Sequence, residues 1–182
     1  MEVNLLKEST YQTPCGTIHY WSSILSLDTM TLVFLPGLTA DHRLFDKQVE
    51  HFVGKYNMIV WDAPAHASSW PFRFDFDLFD KAKWLNGILE KEEIIKPIII
   101  GQSMGGYVGQ AYAQIAGHGF RILAEAMEKD LPYEIKCPSL LICGTKDRAG
   151  SCIRYNRAWH RKTKIPLKWI EGAGHNSNTD KP

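Results

Sequence analysis

The sequence predicts an α/β doubly wound fold: a mostly parallel sheet entered through an N-terminal antiparallel hairpin. Strand-like runs recur at 32–35, 58–61, 98–101, 140–143 and 167–170, and the last three are short, continuous and apolar, as in a parallel sheet covered on both faces. Segments with apolar residues at helical spacing separate them, and alternating strands and helices give a parallel sheet with helices on its faces. Several polar residues fall just beyond the C-terminal ends of different strands, the edge at which open α/β sheets bind ligands.

Each element has its own local signal. Residues 3–24 alternate in strand fashion around Thr13-Pro14-Cys15-Gly16, which predicts the opening hairpin. After the 32–35 strand, 41–53 places Leu44, Phe45, Val49, Phe52 and Val53 on one helical face, with His42 expected to cap that helix. The 58–61 strand runs into Asp62, read as a turn former, and a loop over 62–71 carrying Pro64, His66 and Trp70. Asp77 is the expected N-cap of a helix with Leu78, Ala82, Leu85 and Leu89 on one side. Beyond the 98–101 strand come a helix over 105–116, a Gly117-His118-Gly119 break and a helix carrying Phe120, Leu123, Ala124 and Met127. Tyr155 and Trp159 are expected on the buried face of the helix between the last two strands. No repeat, low-complexity run or linker interrupts 1–182, so one domain without a separate cap is expected.

Composition narrows the function classes. An apolar fraction of 45% and an aromatic fraction of 12% belong to a chain that buries a core. Lys+Arg (21) and Asp+Glu (20) nearly cancel, no basic face stands out, and nucleic acid is not an expected partner. Residues 1–7 lack the apolar core of a signal peptide and no run reaches membrane-spanning length, so no membrane association and a cytoplasmic setting are expected. Cys15, Cys137, Cys143 and Cys152 show no zinc spacing and are expected to be reduced. The seven histidines form no linear ligand motif, so neither metal nor cofactor is expected.

The most informative segment is Pro97-Ile98-Ile99-Ile100-Gly101-Gln102-Ser103-Met104-Gly105-Gly106, an apolar strand followed by G-x-S-x-G and a helix. Lifting a hydroxyl clear of a sheet requires a sharp chain reversal at the serine. Small residues two before and two after it let strand and helix pass closely. At a helix N-terminus, free N–H groups favour developing negative charge. Two further strands end in Gly turns followed by Asp147 and by His175, in the order nucleophile, acid, base.

These landmarks, with the Pro36-Gly37-Leu38 turn after the first parallel strand, resemble the α/β-hydrolase family along almost the whole chain. The resemblance implies Ser103 as nucleophile, His175 as base and Asp147 as the acid that orients it. It implies an oxyanion hole from the backbone N–H groups of Leu38 and Met104, although the family often has His-Gly where this chain has Pro36-Gly37. A serine at the elbow implies acyl transfer, with small carboxylic esters as substrates. His66 and Trp70 could line the acyl pocket or be plain surface residues.

The interval 104–146 leaves no room for the lid and the further parallel strand that the family carries there, and few residues follow His175 where a last helix packs. The expected consequence is an open site. Either the 140–143 strand pairs directly with 98–101, or a second chain supplies the pairing, since buried backbone groups must be satisfied. Uncovered apolar sheet surface predicts self-association as a homodimer, by domain swapping among other routes. Two functions stay open: a lidless serine esterase, and a hydrolase-fold binding protein or scaffold with little turnover. A nucleotide-binding reading fails, since 101–106 is neither G-x-G-x-x-G nor a P-loop.

Overall fold

The computed structural model describes residues 6–117, 135 and 137–182. The chain forms two compact units, Met1–Ala116 and Gly117–Pro182. The expected helix carrying Phe120, Leu123, Ala124 and Met127 lies outside the described residues, as do His118 and Gly119.

The first unit is built on a mixed five-stranded sheet. β1 (Lys7–Thr13) and β2 (Gly16–Ser23) form the expected hairpin, with Thr13 Oγ1 accepting from the Cys15 and Gly16 N–H groups at 3.1 Å each. β2 pairs antiparallel with β4 (Asn57–Trp61), which pairs parallel with β3 (Thr31–Leu35), which pairs parallel with β5 (Pro97–Gly101). The order is β1-β2-β4-β3-β5. β3 and β4, inner strands of this sheet, are buried at every position.

Strand alternation and register decide what each face buries. Trp21, paired with Val60, faces the same side as Phe34 and Met58, where Phe45 and Val49 complete a core cluster with Leu44, Phe52 and Val53 against it. Tyr20, paired with Trp61, faces the other side. There α2 (Leu78–Lys91) crosses, its Gly87 accommodating the Tyr11 hydroxyl and its Lys91 ammonium 5.4 Å from the Tyr20 ring centroid. Burial of each large apolar side chain here contributes about 1.5–3 kcal/mol. Asp77 caps α2 in a capping box with Asp80, as the sequence predicts.

The helix expected over 41–53 begins as a 3-10 turn, His42–Phe45, and continues as α1 (Asp46–Phe52). Its cap is Asp41, whose carboxylate accepts from the Arg43 N–H at 3.0 Å, and not His42. His42 instead turns inward. Its backbone N–H and ring Nδ1 meet Asp62 Oδ1 at 2.8 and 2.9 Å, and its ring stacks on Trp21 with centroids 3.6 Å apart. Asp62 is fully buried, and its Oδ2 accepts from the Ser68 N–H at 2.9 Å. The residue read as a turn former thus ties the loops after β3 and β4 together. Burial raises its pKa, but the hydrogen bonds from His42 and Ser68 outweigh that and hold the carboxyl below its ordinary value.

In the second unit, β6 (Leu141–Gly144) and β7 (Leu167–Ile170) form a parallel pair joined through α4 (Cys152–Thr163), and α5 (Ser177–Asp180) follows. Among the described residues β5 ends the five-stranded sheet and β6 pairs with β7. β6 thus takes the partner that its own helical crossover delivers. β5 and β6 are not covered on both faces, since Ile98 and Ile142 are exposed. Among the described residues the β6–β7 pair has one helix on it, and such a sheet has one wet face. For the same reason Tyr155 is exposed at 64%, against expectation, and the strand-facing stripe of α4 is Cys152, Asn156, Trp159 and Thr163. No helix among the described residues is long and apolar enough to cross a membrane.

Asp62→Asn replaces an acceptor of three donors by a group half of which donates. It is expected to cost about 2–3 kcal/mol, the scale of hydrogen bonds to a charged group. Because the native carboxyl titrates below its unfolded value, its contribution is complete above the usual Asp range and fades as pH falls through and below it. Urea unfolding of both proteins at pH 7 and pH 3.5 checks this: the stability gap narrows at the lower pH.

Candidate active site

Ser103 lies between β5 and α3 (Met104–Gly117) with φ +50°, a left-handed conformation that a non-glycine residue adopts only under constraint. The constraint is local. A Cβ on Gly105 would fall on the carbonyl group of Leu35, and one on Gly101 would fall on the backbone of Gly105 and Gly106. The start of α3 is thereby pressed against the ends of β3 and β5 with no side chain between. The turn is closed by Gly105 N–H to Gln102 O at 2.8 Å, Gly106 N–H to Ser103 O at 2.9 Å and Gln102 N–H to Leu35 O at 3.0 Å. Ser103 itself is exposed. Met104 opens α3, so its N–H has no partner within the helix. Leu38, 63% exposed, follows Gly37, where an added Cβ would meet the side chains of Gln102 and Ser103.

Asp147 and His175 belong to the second unit, and here the structure brings two of the expected residues together. His175 Nδ1 lies 3.0 Å from Asp147 Oδ2. The aspartate side chain is 6% exposed and the imidazole 33%, so the pair is held with one end of the ring open to solvent. The other carboxylate oxygen, Oδ1, accepts from the Ala149 N–H at 2.9 Å, which fixes the carboxylate plane. Thr145 N–H to Ile170 O (3.0 Å) and Lys146 N–H to Ala173 O (2.8 Å) lace the two Gly turns to each other. Gly144 is required there, since a Cβ would meet the carbonyls of Ala173 and Gly174.

The remaining residues sort by their contacts. His66 is half-buried, with Nδ1 3.0 Å from Pro64 O, while Trp70 is 58% exposed and lies 5.9 Å from the Phe74 ring. Three features were not expected. Lys81, on the apolar face of α2, is buried and donates to Met104 Sδ at 3.4 Å, and burial pushes its pKa down. The helix signal alone could flag it, as a charge in an apolar stripe. α4 carries Arg154, Arg157, Arg161 and Lys162 with no acid, and these arginines, His160 and Trp169 line a cleft of about 690 Å³. Overall charge balance hides this local basic face. Cys152, at the start of α4, lies 3.8 Å from His175 Nδ1. Among the described residues, Asp147, Cys152 and His175 are the one group whose spacing could hold a metal ion.

Residues 31–124 match the family model of the alpha/beta hydrolase fold, a span that contains Ser103 but ends before Asp147 and His175. No curated protein matches the chain. Among solved structures, a protein described as a CIB-like hydrolase from Thermoplasma acidophilum is 19% identical, with 97% of this chain and 92% of that one covered and a TM-score of 0.75. The naproxen esterase (carboxylesterase NP) of Bacillus subtilis is 17% identical, covering 97% and 87%, with a TM-score of 0.73. Carboxylesterase CesB (YbfK) from the same organism is 13% identical, covering 97% and 87%, with a TM-score of 0.72. At these identities the likeness is one of fold.

Gly105→Ala forces a methyl group into the β3 backbone and is expected to destabilise the protein by roughly 3 kcal/mol, the upper end of overpacking costs. Gly150→Ala, where a Cβ meets nothing but the φ is +56°, is expected to cost less, about 1 kcal/mol. Thermal unfolding of the two variants beside the parent checks the order.

Proposed function

Because the chain belongs to the alpha/beta hydrolase fold family, we propose that it is a serine hydrolase of carboxylic esters, acting as one domain over 1–182 without a separate cap. The observation that carries this reading is the left-handed backbone of an exposed Ser103 at a strand–helix turn. Such strain needs a reason, and presenting a nucleophile is the one that fits.

In this reading Ser103 Oγ attacks the ester carbonyl and forms the C–O bond of a tetrahedral intermediate, while its proton passes to Nε2 of His175. Asp147, on Nδ1, keeps that ring in the tautomer whose Nε2 is free and stabilises the imidazolium. The oxyanion is received by the N–H groups of Met104 and Leu38. Collapse expels the alcohol, which takes the proton from His175 and leaves an acyl-Ser103 ester. Water then repeats the sequence and releases the acid. No metal, cofactor or nucleic acid takes part. The acyl group lies toward His66 and Trp70, and an open, wet site favours small or generic esters over a narrowly selected substrate. The protein is cytoplasmic and self-associates as a homodimer through its uncovered sheet faces, which expose Ile98 and Ile142.

The test is labelling with a fluorophosphonate and turnover of a p-nitrophenyl ester series. The parent labels stoichiometrically. Ser103→Ala loses both signals, and Asp147→Asn lowers kcat by about 10⁴-fold while leaving KM nearly unchanged. If Ser103→Ala hydrolyses the esters as fast as the parent, the enzyme reading fails and a non-catalytic binding role takes its place. Light scattering across a dilution series reads the self-association, and a monomer at every concentration removes it.

A further inference from the structure

Cys152 takes no part in the chemistry above, yet its sulfur lies at the acid–base pair. The arrangement excludes a second nucleophile. Sulfur and carboxylate both face the same ring nitrogen, Nδ1, at 3.8 and 3.0 Å, whereas a Cys-His-Asp relay needs them on opposite nitrogens. Burial and the neighbouring Asp147 carboxylate also push the thiol pKa up, the reverse of an activated cysteine.

What the three groups do offer is a set of ligands. One imidazole nitrogen, one carboxylate oxygen and one sulfur lie within 4.8 Å of one another. A tetrahedral Zn²⁺, with bonds of about 2.0–2.1 Å to N and O and about 2.3 Å to S, spans roughly 3.4 Å between N and O and roughly 3.6 Å between N and S. The observed 3.0 and 3.8 Å differ from these by a few tenths of an ångström, within reach of small side-chain rotations. The ligands are also pre-oriented. Asp147 Oδ1 is held by the Ala149 N–H, so Oδ2 is the oxygen presented, and the Cys152 N–H donates to Ala149 O at 3.2 Å, fixing the start of α4.

We propose that Asp147, Cys152 and His175 bind a thiophilic divalent cation such as Zn²⁺, and that binding switches the acid–base pair off. A thiolate and an imidazole beside one carboxylate select Zn²⁺ or Cd²⁺ over Mg²⁺ and Ca²⁺. On binding, the Cys152 S–H proton is released to solvent and a metal–sulfur bond forms. The Nδ1 lone pair of neutral His175 goes to the metal, and the ring proton moves to Nε2. A ring metallated on Nδ1 and protonated on Nε2 cannot accept the proton of a serine. The switching half of this proposal rests on the hydrolase reading; the binding half does not.

Two readouts keep the halves apart. Cd²⁺ titration of the intact protein, followed by its ultraviolet thiolate-to-metal charge-transfer band, is expected to saturate at one ion per chain. The band survives in Cys137→Ala and is lost in Cys152→Ala, with far-ultraviolet circular dichroism confirming that both variants are folded. Zn²⁺ is expected to slow ester turnover of the parent at least about tenfold, reversibly on adding EDTA, and Mg²⁺ to leave it unchanged. The Zn²⁺ concentration for half inhibition, each protein relative to its own metal-free rate, rises more than about 100-fold in Cys152→Ala, beyond what losing an outer-shell partner costs. A band that persists in Cys152→Ala overturns the binding site. Saturable binding without inhibition overturns the switch. A band in a protein whose metal-free form hydrolyses no ester supports the site and sinks the hydrolase reading instead.

Discussion

Gly105 sits against the carbonyl of Leu35, and Gly101 against the backbone of Gly105 and Gly106, so that β3, β5 and the first turn of α3 meet main chain to main chain. Side chains elsewhere in the unit can trade volume with their neighbours, but this junction has none to trade. The approach forces the chain to reverse within Gln102-Ser103, and the φ of +50° at Ser103 follows from that reversal. Strain at one residue, of order 1–3 kcal/mol, persists only where the surroundings over-determine it. Here they do. The turn is closed by three backbone hydrogen bonds and lies beside β3, which is buried along its whole length.

The same sheet sets where the loops emerge. β3 and β4 pair in register from Thr31 opposite Asn57 to Phe34 opposite Val60, so the chain leaves them at one edge, at Pro36 and at Asp62. Asp62 then binds the second loop to the first through His42. The core cluster beneath, from Trp21 through Phe34 and Phe45 to Val60, holds the His42 ring flat on Trp21. Packing, register and a buried carboxylate therefore act on one edge, and the loop that carries Gly37 and Leu38 is anchored at both ends of its turn.

Much of this was legible because it is local. G-x-S-x-G after an apolar strand, Asp77 three residues before Asp80, and Gly144 and Gly172 preceding Asp147 and His175 are short-range signals with short-range causes. The errors share a different cause. Whether Ile98 and Ile142 are covered depends on how many layers surround their strands, which their own apolarity does not encode. Tyr155 follows Ser151 by one helical turn and has the right character for a core, but among the described residues α4 covers a sheet two strands wide. The edge of its stripe is in water, and Tyr155 meets Arg154 there instead. His42 reads locally as the cap of the helix it precedes, whereas its partner, Asp62, lies twenty positions on. Cys152 carries no local signal, because its neighbours, Asp147 and His175, come to it from two different turns.

Two imidazole–carboxylate pairs with nearly equal distances show why geometry at one bond does not assign a role. His42 Nδ1 is 2.9 Å from Asp62, and His175 Nδ1 is 3.0 Å from Asp147. Around Asp62, both carboxylate oxygens are engaged by backbone N–H groups, Oδ1 takes the ring as well, and the ring face is covered by an indole. Changing the charge or tilt of that ring would disturb two loops and a core cluster, so this pair is suited to holding, and its rigidity is its use. Around Asp147 a single backbone N–H fixes one oxygen, the imidazole is the more exposed of the two rings, and a polarisable sulfur adjoins it in place of an indole. That ring can change protonation or ligand without unpacking a core. A group that must gain and lose a proton in every cycle belongs in the second setting, and so does one that a soft cation could capture.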